Sequence, residues 1–173
     1  LVRQLFTSML NQRLQELTQQ SNPPFVGAGS YYGEFIRGYE KFRAYAAAGN
    51  GDIRVALEAL VKEVERARRF GFTAAELDRA KKNNLSSMER LYNNRDKTES
   101  ESYVDEYVQN FLNGEPIPGI AREYALYQSE IPGISLEEVN RVGMSLTRDS
   151  NRLVYVTGPT TADASKLPSG QDL

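Results

Sequence analysis

GFTAAELDRAKKNNL, residues 71 to 85, opens a helix with every start signal in place. Gly71 suits the end of a preceding helix, because glycine takes the left-handed conformation at low cost. Thr73 and Glu76 have the spacing of a capping box: the threonine hydroxyl accepts from the Glu76 amide, and the glutamate reaches back to the Thr73 amide. Phe72 and Leu77 flank the box as a hydrophobic staple. Leu77, Ala80, Leu85, Met88, Leu91 and Tyr92 then share one helical face. The stretch is the junction of two helices, and the elements on either side follow from it.

Upstream, Gly49-Asn50-Gly51-Asp52 reads as a turn with Asp52 as the next N-cap. The helix it opens has Ile53, Leu57, Leu60, Val61, Val64 and Ala67 on its apolar side. Arg66, Arg68 and Arg69 sit in its last turn, where cations favour the helix dipole. Before the turn, residues 25–32 (FVGAGSYY) and 35–48 (FIRGYEKFRAYAAA) read as two strands joined tightly at Gly33-Glu34. In the second, Tyr39, Lys41, Arg43 and Tyr45 fall on one face, with Glu40, Phe42, Ala44 and Ala46 on the other. Glycines 27, 29 and 38 predict close packing or bulges. GAGSYYG reads as strand rather than as a phosphate loop, since no helix opens directly after it as the dinucleotide fingerprint requires. Residues 1–20 form a helix with Leu1, Leu5, Met9, Leu10, Leu14 and Leu17 as its stripe, stopped at Ser21-Asn22-Pro23-Pro24.

Downstream, residues 93–102 (NNRDKTESES) are either a solvated length of helix or a break. Tyr103, Val104, Tyr107, Val108, Phe111 and Leu112 resume a helical stripe until Gly114. Glu115 to Gly119 is a rigid connector, and Ile120 to Ser129 a short helix. Ser135 and Glu138 make a second capping box, stapled by Ile134 and Val139. Arg152 to Thr157 reads as a final strand ended by Gly158-Pro159. The class is α+β: an antiparallel or mixed sheet of three strands with helices packed on one face. Residues 1–158 form one domain, and 159–173 read as a C-terminal linker.

Composition sets limits on function. At 173 residues and 40% hydrophobic the chain can bury one ordinary core. A net charge of −2 argues against nucleic acid as a partner. No apolar run approaches the roughly 20 residues of a membrane span. The chain opens mid-helix without an initiator Met, as expected of a fragment of something longer. Cysteine and histidine are both zero. That removes disulfides, thiolate nucleophiles, the commonest general base and the commonest metal ligands. A cysteine-free chain suits an oxidising space and the cytosol equally, so bacterial periplasm and cytoplasm both stay open.

Candidate chemistry is sparse. Glu99, Glu101, Asp105 and Glu106 could hold a hard cation, but they lack calcium-loop spacing and read more simply as a solvated helix face. Asn93-Asn94-Arg95-Asp96 carries nothing specific, and no carboxylate pair has an activating neighbour. The expected catalytic and metal sites are therefore none. Tyr31, Tyr32 and Tyr39, with Tyr45, lie in or beside the sheet. They are candidates to line a cleft for peptide, since tyrosine offers area and a polar handle; ordinary sheet packing explains them as well.

The run Gly71-Phe-Thr-Ala-Ala-Glu-Leu-Asp-Arg-Ala-Lys81 resembles the G-[VF]-T-x-x-E-L-x-x-A-K segment of the pitrilysin/insulinase family of zinc metallopeptidases. The element order is similar too: a helix ending in Asn11-Gln-Arg-Leu-Gln-Glu-Leu17, two strands, a helix, a long helix and a closing strand. NGEPIPGI (113–120) and IPGISLEEVN (131–140) look like bacterial members with two-half architecture. The likeness spans roughly residues 5–158. It implies a module with the fold of the catalytic domain but without its H-x-x-E-H helix, hence without the zinc that the parent protein would carry. Some family modules add an arginine and a tyrosine opposite the metal. Those positions fall near Thr18 and near Val26 to Ala28, so that role is not carried over. The resemblance implies a partial, non-catalytic domain that encloses the peptide chamber and supports the catalytic domain of the same parent chain. The alternative is a binding or assembly module of a homologue that has lost peptidase activity, separable by whether H-x-x-E-H stands upstream. A complete module would have further strands before Leu1, so an open sheet edge and self-association through it are also expected.

Overall fold

Phe6 is the hub of the core. Its ring is fully buried and packs edge-to-face on Phe72, 5.6 Å away, and on Phe42, 6.1 Å away. The three rings come from three elements, so one helix residue ties the sheet to a helix junction. The structure, a computed structural model, describes residues 1–36, 38–49, 52–97, 100–146, 150–158 and 168–169. The order is α1 (Val2–Thr18), β1 (Gly27–Ile36), β2 (Tyr39–Ala47), α2 (Ile53–Phe70), α3 (Ala74–Asn93), α4 (Ser100–Asn113), α5 (Ile120–Glu130) and α6 (Leu136–Leu146). Short 3-10 turns at Arg95–Lys97 and Ile131–Gly133 precede α4 and follow α5. This is the expected α+β arrangement, helix-rich with helices on one face of an antiparallel sheet.

β1 and β2 pair antiparallel from Gly27↔Ala47 to Ile36↔Tyr39, with an irregularity between Glu34 and Ile36. The tight connection expected at Gly33-Glu34 lies further on. Those residues stay in the ladder opposite Lys41 and Glu40, and the chain reverses beside Gly38, whose φ of 82° suits glycine. α1 lies under β1 and α2 under β2. Asn11 of α1 binds Ser30 of β1 three times, donating to its carbonyl at 3.1 Å and accepting from its amide at 2.5 Å and from its hydroxyl at 2.9 Å. A side-chain amide there occupies the place a third strand would take. The third strand expected at Arg152–Thr157 does not form. Among the described residues the sheet has two strands, and Leu153 and Tyr155 are exposed. Branched and aromatic residues favour a strand only where a neighbour completes the ladder.

α1 buries Leu5, Phe6, Met9, Leu10 and Leu14, and with them Arg13. α2 turns a narrower face inward than its large residues suggest: Ala56, Leu60, Glu63 and Ala67 are buried, whereas Leu57, Val61 and Val64 are only half-buried. The small residues let backbones approach. A Cβ added at Gly143 of α6 would lie 2.9 Å from the Phe6 ring and 3.5 Å from the Ala67 carbonyl. Both capping boxes form. Thr73 and Glu76 exchange their bonds at the start of α3, and Ser135 and Glu138 do so before α6. Within the polar run, α3 ends at Asn93, a 3-10 turn follows at Arg95–Lys97, and α4, from Ser100, leaves Tyr107 and Phe111 exposed. Of the acidic run, Glu99 and the side chains of Glu101 and Asp105 lie outside the described structure, as does the expected linker apart from residues 168–169.

Candidate functional site

The outer face of the hairpin carries a group of aromatic and cationic side chains turned away from the helices. Strand alternation puts Tyr31, Phe35, Tyr39, Lys41, Arg43 and Tyr45 on it. Tyr31 is 55% exposed and Tyr39 68%. Glycines shape the deck. Tyr45 lies over its partner Gly29, where an added Cβ would come within 2.8 Å of the Tyr45 hydroxyl, and a Cβ at Gly33 would strike the Tyr31 hydroxyl. Two rings therefore lie flat along the sheet. The Lys41 ammonium sits 4.4 Å over the Phe35 ring, and the Arg43 guanidinium 5.3 Å over Tyr45.

Tyr32 is on the other face. Its hydroxyl donates to Glu40, and Arg3 of α1 lies 4.5 Å over its ring while binding Glu40 at 3.0 Å. Burial, and then the Glu40 carboxylate, push the Tyr32 hydroxyl above its ordinary pKa, against the opposing pull of Arg3. Of the three tyrosine candidates, Tyr31 and Tyr39 share a surface and Tyr32 fastens the hairpin to α1.

Two further clusters have structural explanations. An open groove of about 600 Å³ between α1, α3 and α5 is lined by side chains such as Gln4, Asn11, Asn83 and Tyr127. Most of its polar groups are already used: Asn11 on Ser30, and Tyr127 on Gln4 at 2.7 Å. The second cluster was not foreseen from the sequence. Arg13, 8% exposed, donates to Glu76 at 2.5 and 3.0 Å, to the Gly71 carbonyl at 3.0 Å and to Glu63 at 3.4 Å, with its guanidinium 4.4 Å over Phe72. Burial alone would raise the Glu76 carboxyl; Arg13 and the two Thr73 donors outweigh it and hold it at about 2. A carboxylate so committed is neither a proton shuttle nor a free ligand. Glu123 is moved the other way, raised by burial and by Glu106 and Glu115.

No family model matches the chain. A protein described as zinc protease PQQL-like, from Arabidopsis thaliana, is 28% identical over 162 residues, 94% of this chain and 14% of that protein. The first half of the periplasmic protease PqqL from Escherichia coli superposes with a TM-score of 0.75, at 20% identity, over 84% of this chain and 31% of that one. The chain has an insulinase-like protease fold. A predicted insulinase family protease from Yersinia pestis agrees, with a TM-score of 0.66 and 14% identity over 82% of this chain and 31% of that one. The insulinase-like fold was the expectation raised by residues 71–81, and the sequence similarity to a zinc protease runs along nearly the whole chain. The chain spans about 14% of the length of the curated relative it matches.

The residues here do not fit a zinc ion. The sequence has no imidazole or thiolate. Among the described residues no three side chains of ligand type come together. The buried Glu63 and the half-buried Glu76 are bound to Arg13. No hydrolytic step is therefore assigned to groups in this chain.

Proposed function

We propose that the chain is a non-catalytic domain of a zinc metallopeptidase, enclosing the peptide chamber and supporting a catalytic domain elsewhere in the same polypeptide. The observation that carries this reading is the fold itself, which follows part of the first half of PqqL over 84% of the chain, in a sequence unable to ligate zinc through nitrogen or sulfur. In this reading zinc and the water it activates belong to the catalytic domain. The contribution of this chain is shape. α1, α2, α3 and α6 form the scaffold, and the hairpin turns Tyr31 and Tyr39 toward the peptide substrate of the parent. Tyrosine fits that task because a broad ring contacts any backbone at low entropic cost and its hydroxyl can bond a passing amide.

The test is made on the purified chain. Metal analysis after zinc loading and desalting, and hydrolysis of a quenched fluorescent peptide library with and without chelator, are measured together. We expect zinc far below one equivalent and no chelator-sensitive cleavage. Stoichiometric zinc with chelator-sensitive hydrolysis would overturn the proposal.

A further inference from the structure

We propose that the outer face of the β1–β2 hairpin selects acidic stretches of extended polypeptide. This specificity presupposes that the hairpin is a peptide-facing wall, and it names the kind of peptide. Lys41 and Arg43 stand two residues apart on one strand face, and none of the ion pairs formed by the described residues includes either. Each rests instead against an aromatic ring, Phe35 or Tyr45. The acidic residues of the hairpin are turned away or used. Glu40 is held by Arg3 and Tyr32 on the helix side, and Glu34 accepts from the Gly38 amide at 3.2 Å. The face thus carries two cations, four exposed rings and no carboxylate among its described residues.

Charge and spacing both point to the ligand. Alternate residues of a strand are about 6.6 Å apart, the same repeat as carboxylates at i and i+2 of an extended peptide. A segment of the form Glu-x-Glu can therefore set one carboxylate near each cation while its backbone crosses the flattened rings of Tyr31 and Tyr45. Single-stranded nucleic acid also uses rings and cations. It binds chiefly through many phosphate contacts, and this face offers two described cations on a chain of net charge −2.

The experiment measures fluorescence anisotropy of labelled dodecapeptides with the full chain at low salt. The probes are repeats of Glu-Thr, Gln-Thr and Lys-Thr, with dodecathymidylate as a fourth. The Glu-Thr peptide should bind about tenfold more tightly than the Gln-Thr peptide, as two charge contacts allow, with Lys-Thr weakest. K41Q/R43Q should remove the preference, and K62Q/R122Q, which deletes the same charge from two helices, should keep it. Equal thermal midpoints of the variants confirm that folding is intact. Equal binding of the Glu-Thr and Gln-Thr peptides, with both weakened by Y31S/Y39S, overturns the acidic specificity and leaves the chamber wall standing. No binding of any peptide overturns both. A preference that survives K41Q/R43Q, or tighter binding of the oligonucleotide, overturns the specificity.

Discussion

Arg13 donates to both oxygens of Glu76 and to the carbonyl of Gly71, so one guanidinium of α1 closes the α2–α3 junction. Glu76 caps α3 with the same carboxylate. Removing Arg13 strips the buried Glu63 and the half-buried Glu76 of their shared cation. Arg13→Ala should therefore cost about 3–5 kcal/mol in chemical denaturation. The pH dependence has a definite sign. The Glu76 carboxyl is held at about 2, below its ordinary 4.5. Its contribution is complete above pH 4.5 and is lost as pH falls through 2. At about 1.4 kcal/mol per unit the loss is about 3 kcal/mol. Denaturant titrations between pH 5 and 2 should show that loss in the native chain and a shallower one in Glu76→Gln. The capping role of Glu76 was legible in residues 71–85, because a cap is local. Its bond to Arg13, 63 positions away, was not. A weaker signal was present: Arg13 and Glu63 both stand on the apolar faces of their helices, at the spacing of Met9–Leu10–Leu14 and Leu60–Ala67. A charge in such a stripe is a candidate buried ion.

Helix ends were read well because capping boxes, staples and proline stops are short-range. α2 and α3 begin one residue after the caps Asp52 and Thr73 that the sequence marked. Strand limits were read less well. The turn depends on where glycine with positive φ falls, and the sequence offered Gly33 as well as Gly38; pairing chose Gly38. Arg152–Thr157 has strand propensity but no neighbour, and propensity without a ladder is not a strand. The face of α2 was set by close approach rather than by residue size. Gly143→Ala tests that approach directly, since its Cβ would lie 2.9 Å from the Phe6 ring. The substitution should lower stability by about 1–3 kcal/mol in thermal or denaturant unfolding. Alanine at exposed helical positions such as Glu89 should change little.

For the whole molecule, the class and the likeness to insulinase-type proteases were legible because the element order and the GFTAAELDRAK segment lie in the sequence itself. The composition also showed that the chain lacks histidine and cysteine. The division of the tyrosines was not legible. Tyr31 and Tyr32 are neighbours in sequence, and only the register assigns one to the outer deck and the other to the seam with α1. The outer deck is the proposed working surface, and amide NMR of the chain during titration with an extended peptide tests it most directly. Shifts should cluster at Tyr31, Phe35, Tyr39, Lys41, Arg43 and Tyr45 and be lost in Y31S/Y39S. Shifts confined to the α1–α3 groove at Gln4, Asn11 and Asn83, with the hairpin unmoved, would contradict the account.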